Sequence, residues 1–308
     1  MAILKKLIMI KRTLHFGNPA YLSTKNEQLV IQYPDDPKPS ATVPIEDIGI
    51  VVLEHPQLTI TNALLDKLNL AGVAVLHCNA QHLPVGLLMP LNGHTEQNER
   101  IRKQLDASLP LKKNLWQQTI KQKILNQAAL LQQKNVSIKN MLHWAKEVSS
   151  GDAMNHEARA AAYYWQNLFY PRTFFRQQQG DSPNNMLNYG YAILRAITAR
   201  ALVSSGMLPV IGIHHANKYN AYCLADDIME PYRPMVDALV CELTELHGFE
   251  KELTTTLKKE LLKIPVLDVK MNGQMSPLMI AMSRTTASLY DCFAGDSRKI
   301  LYPEHAFN

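Results

Sequence analysis

Three carboxylates fall within five positions, at Asp226, Asp227 and Glu230, shortly after the paired His214 and His215. On a helical turn Asp227 and Glu230, or Asp226 and Glu230, share one face. Like charges so close raise one another's pKa unless a cation lies between them, and a divalent metal is the economical cation. Carboxylate oxygens with one imidazole, and no cysteine clearly placed to join them, favour Mg2+ or Mn2+ over a structural Zn2+. The same acids admit a second reading. Pro231 and Pro234 mark a helix start, and negative charge is favourable at the N-terminal end of a helix.

A second cluster is His156-Glu157-Ala158-Arg159, followed by Ala160, Ala161, Ala162 and the aromatic run Tyr163-Tyr164-Trp165. Glu157 stands at the head of a helix whose next positions are small, so a neighbouring helix can come close and keep the carboxylate inside. A glutamate in any first helical turn reads the same way. Other chemistries have no support: the sequence holds no GxGxxG, no Walker-type GK[ST] and no GxSxG. Cys223 is flanked by bulky residues, which argues against a cysteine nucleophile. Trp116, Trp144 and Trp165 read as core or helix-packing residues.

The elements that must position these residues come in two styles. The first ninety residues are β-rich. Clustered β-branched runs at 7–16, 28–33, 41–43, 48–54 and 73–78 are separated by Gly17-Asn18-Pro19 and Pro34-Asp35-Asp36-Pro37, with one helix expected from about Thr59 to Leu70. Pro84 to Pro90 reads as a last extended piece and hinge. Beyond His94 the pattern is helical: 95–109, 110–133, 136–149, 153–168, a helix opened by Ser182 as cap with Pro183 in its first turn and running to about 205, then 235–246, 249–263 and 274–291. The expected fold is α+β, a small N-terminal β-rich domain over 1–90 followed by a larger all-α domain over 91–308.

At 308 residues and 46% hydrophobic, the chain is long enough for two cores and too apolar for wholesale disorder. The net charge of +5 is uneven. Residues 1–90 carry seven basic and seven acidic side chains, residues 91–150 ten against four, and residues 151–308 fifteen against sixteen. The excess therefore sits on the helices leading into Glu157, a local attraction for a polyanion. Arg100, Arg102, Lys103, Lys112, Lys113, Lys121, Lys123 and Arg159 are the candidate phosphate contacts. Cys78, Cys223, Cys241 and Cys292 show no CxxC spacing and read as reduced thiols. The apolar run near the N-terminus is too short for a signal-peptide core, and no stretch reaches a membrane span, so a cytoplasmic protein is expected.

Four segments in register carry a family resemblance: Pro44-Ile45-Glu46-Asp47-Ile48, the helix with Glu157-Ala158-Arg159, Asn185 to Leu194 (NMLNYGYAIL), and Gly212-Ile213-His214-His215 with Leu224 to Pro234. Together they resemble the CRISPR spacer-acquisition integrases of the Cas1 family, over essentially the whole chain. The compact length and doubled histidine look like the variant of type II systems, which accompanies the Cas9 effector. The resemblance implies metal ligands Glu157, His215 and Glu230 for Mg2+ or Mn2+, with Asp227 as a second acidic position assisting the metal or its water shell. Many relatives place aspartate where Glu230 stands. It also implies integration of short duplex DNA into the repeat array by attack of a 3′-hydroxyl on a phosphodiester. The implied partners are captured spacer DNA and CRISPR repeat DNA, a second copy of the chain, a Cas2 dimer, the type II effector nuclease and accessory adaptation proteins. A stand-alone metal-dependent nuclease and a non-catalytic DNA-binding scaffold are the alternative functions.

Overall fold

The computed structural model describes residues 11–34, 41–177, 180–250 and 252–304. The chain divides into two compact units, residues 1–91 and 92–308. No helix among the described residues is long and apolar enough to cross a membrane. The N-terminal apolar run, the first part of the 7–16 strand and most of the Pro34–Pro37 turn lie outside the described residues.

The first unit is built on strands. One sheet holds β1 (Arg12–Phe16), β5 (Ile48–Leu53), β7 (Ala74–Cys78) and β8 (Pro84–Leu88) in the order β1-β5-β7-β8, parallel except at β8. β5 is an unbroken apolar run, Ile-Gly-Ile-Val-Val-Leu, as expected of a central parallel strand covered on both faces. The second sheet has the order β4-β3-β2-β6, with β2 at Ala20–Lys25, β3 at Gln28–Gln32, β4 at Ala41–Pro44 and β6 at Leu58–Ile60. Asn26 and Glu27, both at positive φ, make the tight turn that pairs Lys25 with Gln28. Helix α1 (Asn62–Leu70) lays Leu64 and Leu68 into the core with Phe16, Leu22, Leu29, Ile48 and Val75.

Two boundaries differ from the sequence expectation. β2 went unread because its inward residues are only Ala20 and Leu22, too sparse for a strand signal. The residues from Leu58 to Ile60 form an edge strand alongside β2 and not the first turn of α1. The helix waits for Thr61, whose hydroxyl accepts from the Leu64 amide.

The second unit is helical: α2 (Gln97–Leu105), α3 (Leu109–Gln133), α4 (Lys139–Glu147), α5 (His156–Leu168), α6 (Asn184–Ser204), α7 (Cys223–Met229), α8 (Arg233–His247), α9 (Thr255–Leu261) and α10 (Leu278–Ala294). It also contains a two-stranded hairpin, β9 (Asp268–Met271) and β10 (Gln274–Pro277), so α10 begins four residues later than the periodicity suggests. Asn272-Gly273, both at positive φ, is the hairpin turn that separates them. The expected Ser182 cap is absent. Pro183 takes the cap position, its carbonyl accepts from the Leu187 amide, and Ser182 Oγ has no hydrogen-bond partner.

α3 is the spine of this unit, packed against α4, α5, α7 and α8. Ser108 caps it and Pro110 lies in its first turn. Leu115, Trp116, Ile120, Ile124 and Leu131 form its buried stripe. α6 comes close to α8 at Gly190, where a methyl group would lie 2.6 Å from Val236 Cγ1. That contact needs glycine.

Asp237 of α8 ties three helices together. Its carboxyl takes hydrogen bonds from Tyr164 of α5 at 2.7 Å and Tyr191 of α6 at 2.5 Å. Burial outweighs the hydroxyls and the nearby Arg233 and Arg176, and lifts the Asp237 pKa to about 6. A carboxyl whose folded pKa is raised contributes stability that is fully present below its unfolded value and lost as pH rises through the folded one. Unfolding in urea at pH 4 and pH 7 is therefore expected to show roughly 2 kcal/mol less pH-driven loss in Asp237→Asn than in the wild type, since each pKa unit is about 1.4 kcal/mol and pH 4 already lies at the unfolded value. The comparison with wild type cancels the contributions of the other carboxylates.

Candidate active site

Four elements of the helical unit converge. α3 brings Lys123 and Trp116, α5 brings Glu157, the segment after Gly212 brings His214 and His215, and α7 with the tight turn that follows brings Asp227 and Glu230.

Glu157 is held in place by the chain just ahead of it. Asn155, at φ 54°, breaks the helix on its N-terminal side, and the Asp152 carboxylate accepts from the His156 and Glu157 amides, each at 2.9 Å. One side chain thus satisfies two of the orphan N–H groups at the head of α5. Asp152→Ala is expected to lower stability by about 1–2 kcal/mol, the typical worth of such a cap, and to fray the first turn of α5. Amide hydrogen exchange at His156 and Glu157 would report it; unchanged protection at those two amides would refute it.

The Glu157 and Glu230 carboxylates meet on one ammonium. Lys123 Nζ lies 2.7 Å from Glu157 Oε1 and 2.6 Å from Glu230 Oε2. Arg233, one turn on, takes the other Glu230 oxygen at 3.0 Å. Burial opposes ionisation of Glu230, yet the charges of Arg233 and Lys123 prevail and hold its pKa below the ordinary carboxylate value. Burial likewise works against the Lys123 charge, and Glu230 and Glu157 more than offset it, so that pKa is raised.

His215 is set by Asp227. The fully buried Asp227 carboxylate accepts from the Ile213 and His214 amides through Oδ2 at 2.8 and 2.9 Å. Its Oδ1 accepts from the His215 amide at 3.3 Å and contacts His215 Nδ1 at 2.5 Å. With Nδ1 committed to Asp227, Nε2 is the nitrogen left with a lone pair to offer. The hydrogen bond to Asp227 is the largest influence raising the His215 pKa, and the charges of Asp227, Glu230 and Glu157 act in the same sense against burial. The loop closes this tightly because residue 212 is glycine: a methyl group there would lie 2.3 Å from the His215 carbonyl oxygen and 2.8 Å from Asp227 Oδ2. Beneath it, the His214 ring stacks on Trp116 at 4.1 Å with the planes 1° apart, and the His215 ring meets Trp116 edge-on.

The remaining candidates separate by position. Asp226 is taken up by Arg195 Nε at 2.6 Å and Asn220 Nδ2 at 2.7 Å. His156 is buried beside Glu157, with Nδ1 unpartnered. Arg102, Lys103, Lys113, Lys121 and Arg159 are exposed, and Lys112 is half-buried. Arg100 is engaged by its own fold, bonding Glu96 and the Ser205 carbonyl with its guanidinium 3.9 Å over the Tyr290 ring. Lys123 does not share the surface of its neighbours. The signal was in the helix period: Lys123 follows Ile120 by three and precedes Gln127 by four, both of which are buried. Asp152 and Arg233 were also missed, since neither cap nor counter-charge leaves a spacing motif.

Among the described residues, no three His, Cys, Asp or Glu side chains are gathered tightly enough to hold a metal as they stand. The donor chemistry nonetheless fits a hard divalent cation. Two carboxylates already converge on one positive centre, and an imidazole with its second nitrogen anchored stands in their field.

Comparison with known proteins decides the family. The model of the family "CRISPR associated protein Cas1" matches residues 15–263. The chain belongs to the Cas1 family. A relative from Neisseria meningitidis serogroup C, named CRISPR-associated endonuclease Cas1, is 38% identical over 282 residues, covering 91% of each chain. A Cas1 from Francisella tularensis subsp. novicida is 26% identical, covering 90% of this chain and 93% of its own. Among solved structures, a casposase bound to integration product superposes with TM-score 0.77 at 19% identity, over 95% of this chain and 92% of that one. A Cas1 protein from Thermotoga maritima gives 0.70 at 14% identity, over 92% and 97%. The Cas1 fold, strands first and helices after, is therefore the fold of this chain.

Proposed function

We propose that this Cas1 chain is a metal-dependent integrase and endonuclease of CRISPR adaptation. It joins the 3′-hydroxyl ends of short captured duplexes to a phosphodiester of the CRISPR repeat. The observation that carries the reading is the convergence of Glu157 and Glu230 on one cation, with His215 in their field, in a chain that belongs to the Cas1 family. The 38%-identical relative bears the name endonuclease, and a structural neighbour holds an integration product.

Glu157, His215 and Glu230 would hold Mg2+ or Mn2+. Such an ion, when bound, lowers the pKa of the attacking hydroxyl and stabilises charge on the phosphoryl oxygens. The chain's own residues prepare the site. Asp227 fixes the tautomer and direction of His215, Arg233 holds Glu230 ionised and in place, and Asp152 fixes the turn that carries Glu157. One phosphodiester replaces another, so the exchange needs no nucleotide hydrolysis. Water in place of the 3′-hydroxyl converts the same site to a nuclease.

The exposed Arg102, Lys103, Lys113, Lys121 and Arg159, with Lys112, supply phosphate contacts, so affinity for DNA falls steeply with salt. The β-rich unit serves dimerisation and a Cas2 dimer; structural neighbours include a Cas6-RT-Cas1–Cas2 complex. The type II effector nuclease and accessory adaptation proteins are further partners, and the setting is the cytoplasm. The test combines purified chain with its Cas2 partner, Mn2+ or Mg2+, a 3′-hydroxyl duplex and a repeat-bearing plasmid. Joined strands are expected; shortened strands alone would reduce the function to hydrolysis, and metal-independent binding without either product would leave a scaffold.

A further inference from the structure

We propose that Lys123 is a tethered counter-cation of the Glu157–Glu230 pair, which a divalent ion displaces when it takes those carboxylates. The inference rests on the metal reading above and adds what the metal must remove. Two carboxylates close enough to share one cation repel each other strongly when none is present. In this chain α3 supplies the cation itself. Lys123 lies on the same side of α3 as the buried Ile120 and Gln127, and its side chain, 11% exposed, reaches both carboxylates through Nζ.

Lys123 Nζ lies 2.7 Å from Glu157 Oε1 and 2.6 Å from Glu230 Oε2, and Glu230 is only 5% exposed. A divalent ion that binds the same two oxygens therefore competes with the ammonium for their charge. Arg233 stays on Oε1, so Glu230 keeps one counter-charge through the exchange. Lys123 thereby keeps the metal-free site neutral enough to stay folded, and sets the divalent-ion concentration at which it fills.

The primary experiment leaves the sequence untouched. The full chain is acylated with a water-soluble succinimidyl ester at fixed pH, with and without saturating Mn2+, and each lysine is followed by mass spectrometry. Lys123 is expected to be protected without metal and to label several-fold faster with it, while Lys121, exposed on the same helix, stays constant. The second experiment is calorimetric titration of Mn2+ into wild type and Lys123→Met. The variant is expected to bind about ten-fold more tightly, since a charge-assisted hydrogen bond no longer has to be broken. Unchanged Lys123 labelling under Mn2+ that calorimetry shows to be bound overturns the proposal, as does equal or weaker binding by a folded Lys123→Met. Lack of Mn2+ binding by both proteins overturns the metal reading and the displacement with it. If Lys123→Met fails to fold, the labelling experiment decides alone.

Discussion

Glu157→Gln is expected to reduce strand transfer and cleavage by about a thousand-fold or more, the several kcal/mol that a site holding a catalytic cation contributes to its transition state. Its melting temperature should hardly move. The amide keeps the shape of the acid, the Asp152 cap binds the backbone of residue 157 and not its side chain, and Lys123 retains Glu230 as a partner. What is lost is one charge-assisted hydrogen bond on a partly exposed side chain, about 1 kcal/mol after allowance for solvent. Strand transfer on a repeat-bearing plasmid and thermal unfolding of the same preparation make the check. Near-wild-type transfer would remove Glu157 from the site, and a collapse in stability would make it a structural residue.

The parts of the fold that were legible in the sequence are those where one local rule governs. β5 reads from its unbroken β-branched run, and α3 from Pro110 and its apolar stripe, whereas the Ser108 cap falls inside the stretch read as the preceding helix. The hairpin turn at Asn272-Gly273 carries a strong local signal as well, but the apolar residues that follow blend into α10 and hide it. β2 and β6 are strands chiefly because they pair with each other, and β2 with β3, a property of the fold and not of either segment. The site divides in the same way. Glu157, His215, Glu230 and Asp227 sit in motifs that a reader can match. Lys123 does not, because a lysine in a basic run reads as surface until the helix phase sets it on the side of the buried Ile120 and Gln127. The tally of positive charge over 91–150 thus mixed two kinds of residue, exposed ones such as Lys121 that face solvent, and one whose charge is consumed inside the site.

The second large effect is expected at Asp227, and it differs in kind from that at Glu157. Asp227→Asn is expected to cost about 2 kcal/mol, because an amide offers one acceptor oxygen where the carboxylate offers two, leaving the N–H groups of residues 213–215 short of an acceptor at about 1–3 kcal/mol for a buried one. Asp227 and Ile213 are buried, so the loss falls chiefly on the Ile213 amide, while His214 and His215 are exposed. Activity should fall with stability, through His215, whose Nδ1 would face an amide instead of an acid and lose its fixed tautomer. The discriminating measurement is hydrogen exchange at the 213–215 amides alongside strand transfer. Faster exchange there with slowed transfer is the expected pair. Slowed transfer with unchanged exchange would mean that Asp227 acts on the reacting groups directly and not by positioning. Intact transfer would mean that His215 needs no anchor. Glu157→Gln removes chemistry from a loop and helix that stay folded; Asp227→Asn loosens the loop that aims the chemistry. The contrast between the two variants tests whether this centre is assembled in advance by its backbone contacts or drawn together by the cation it binds.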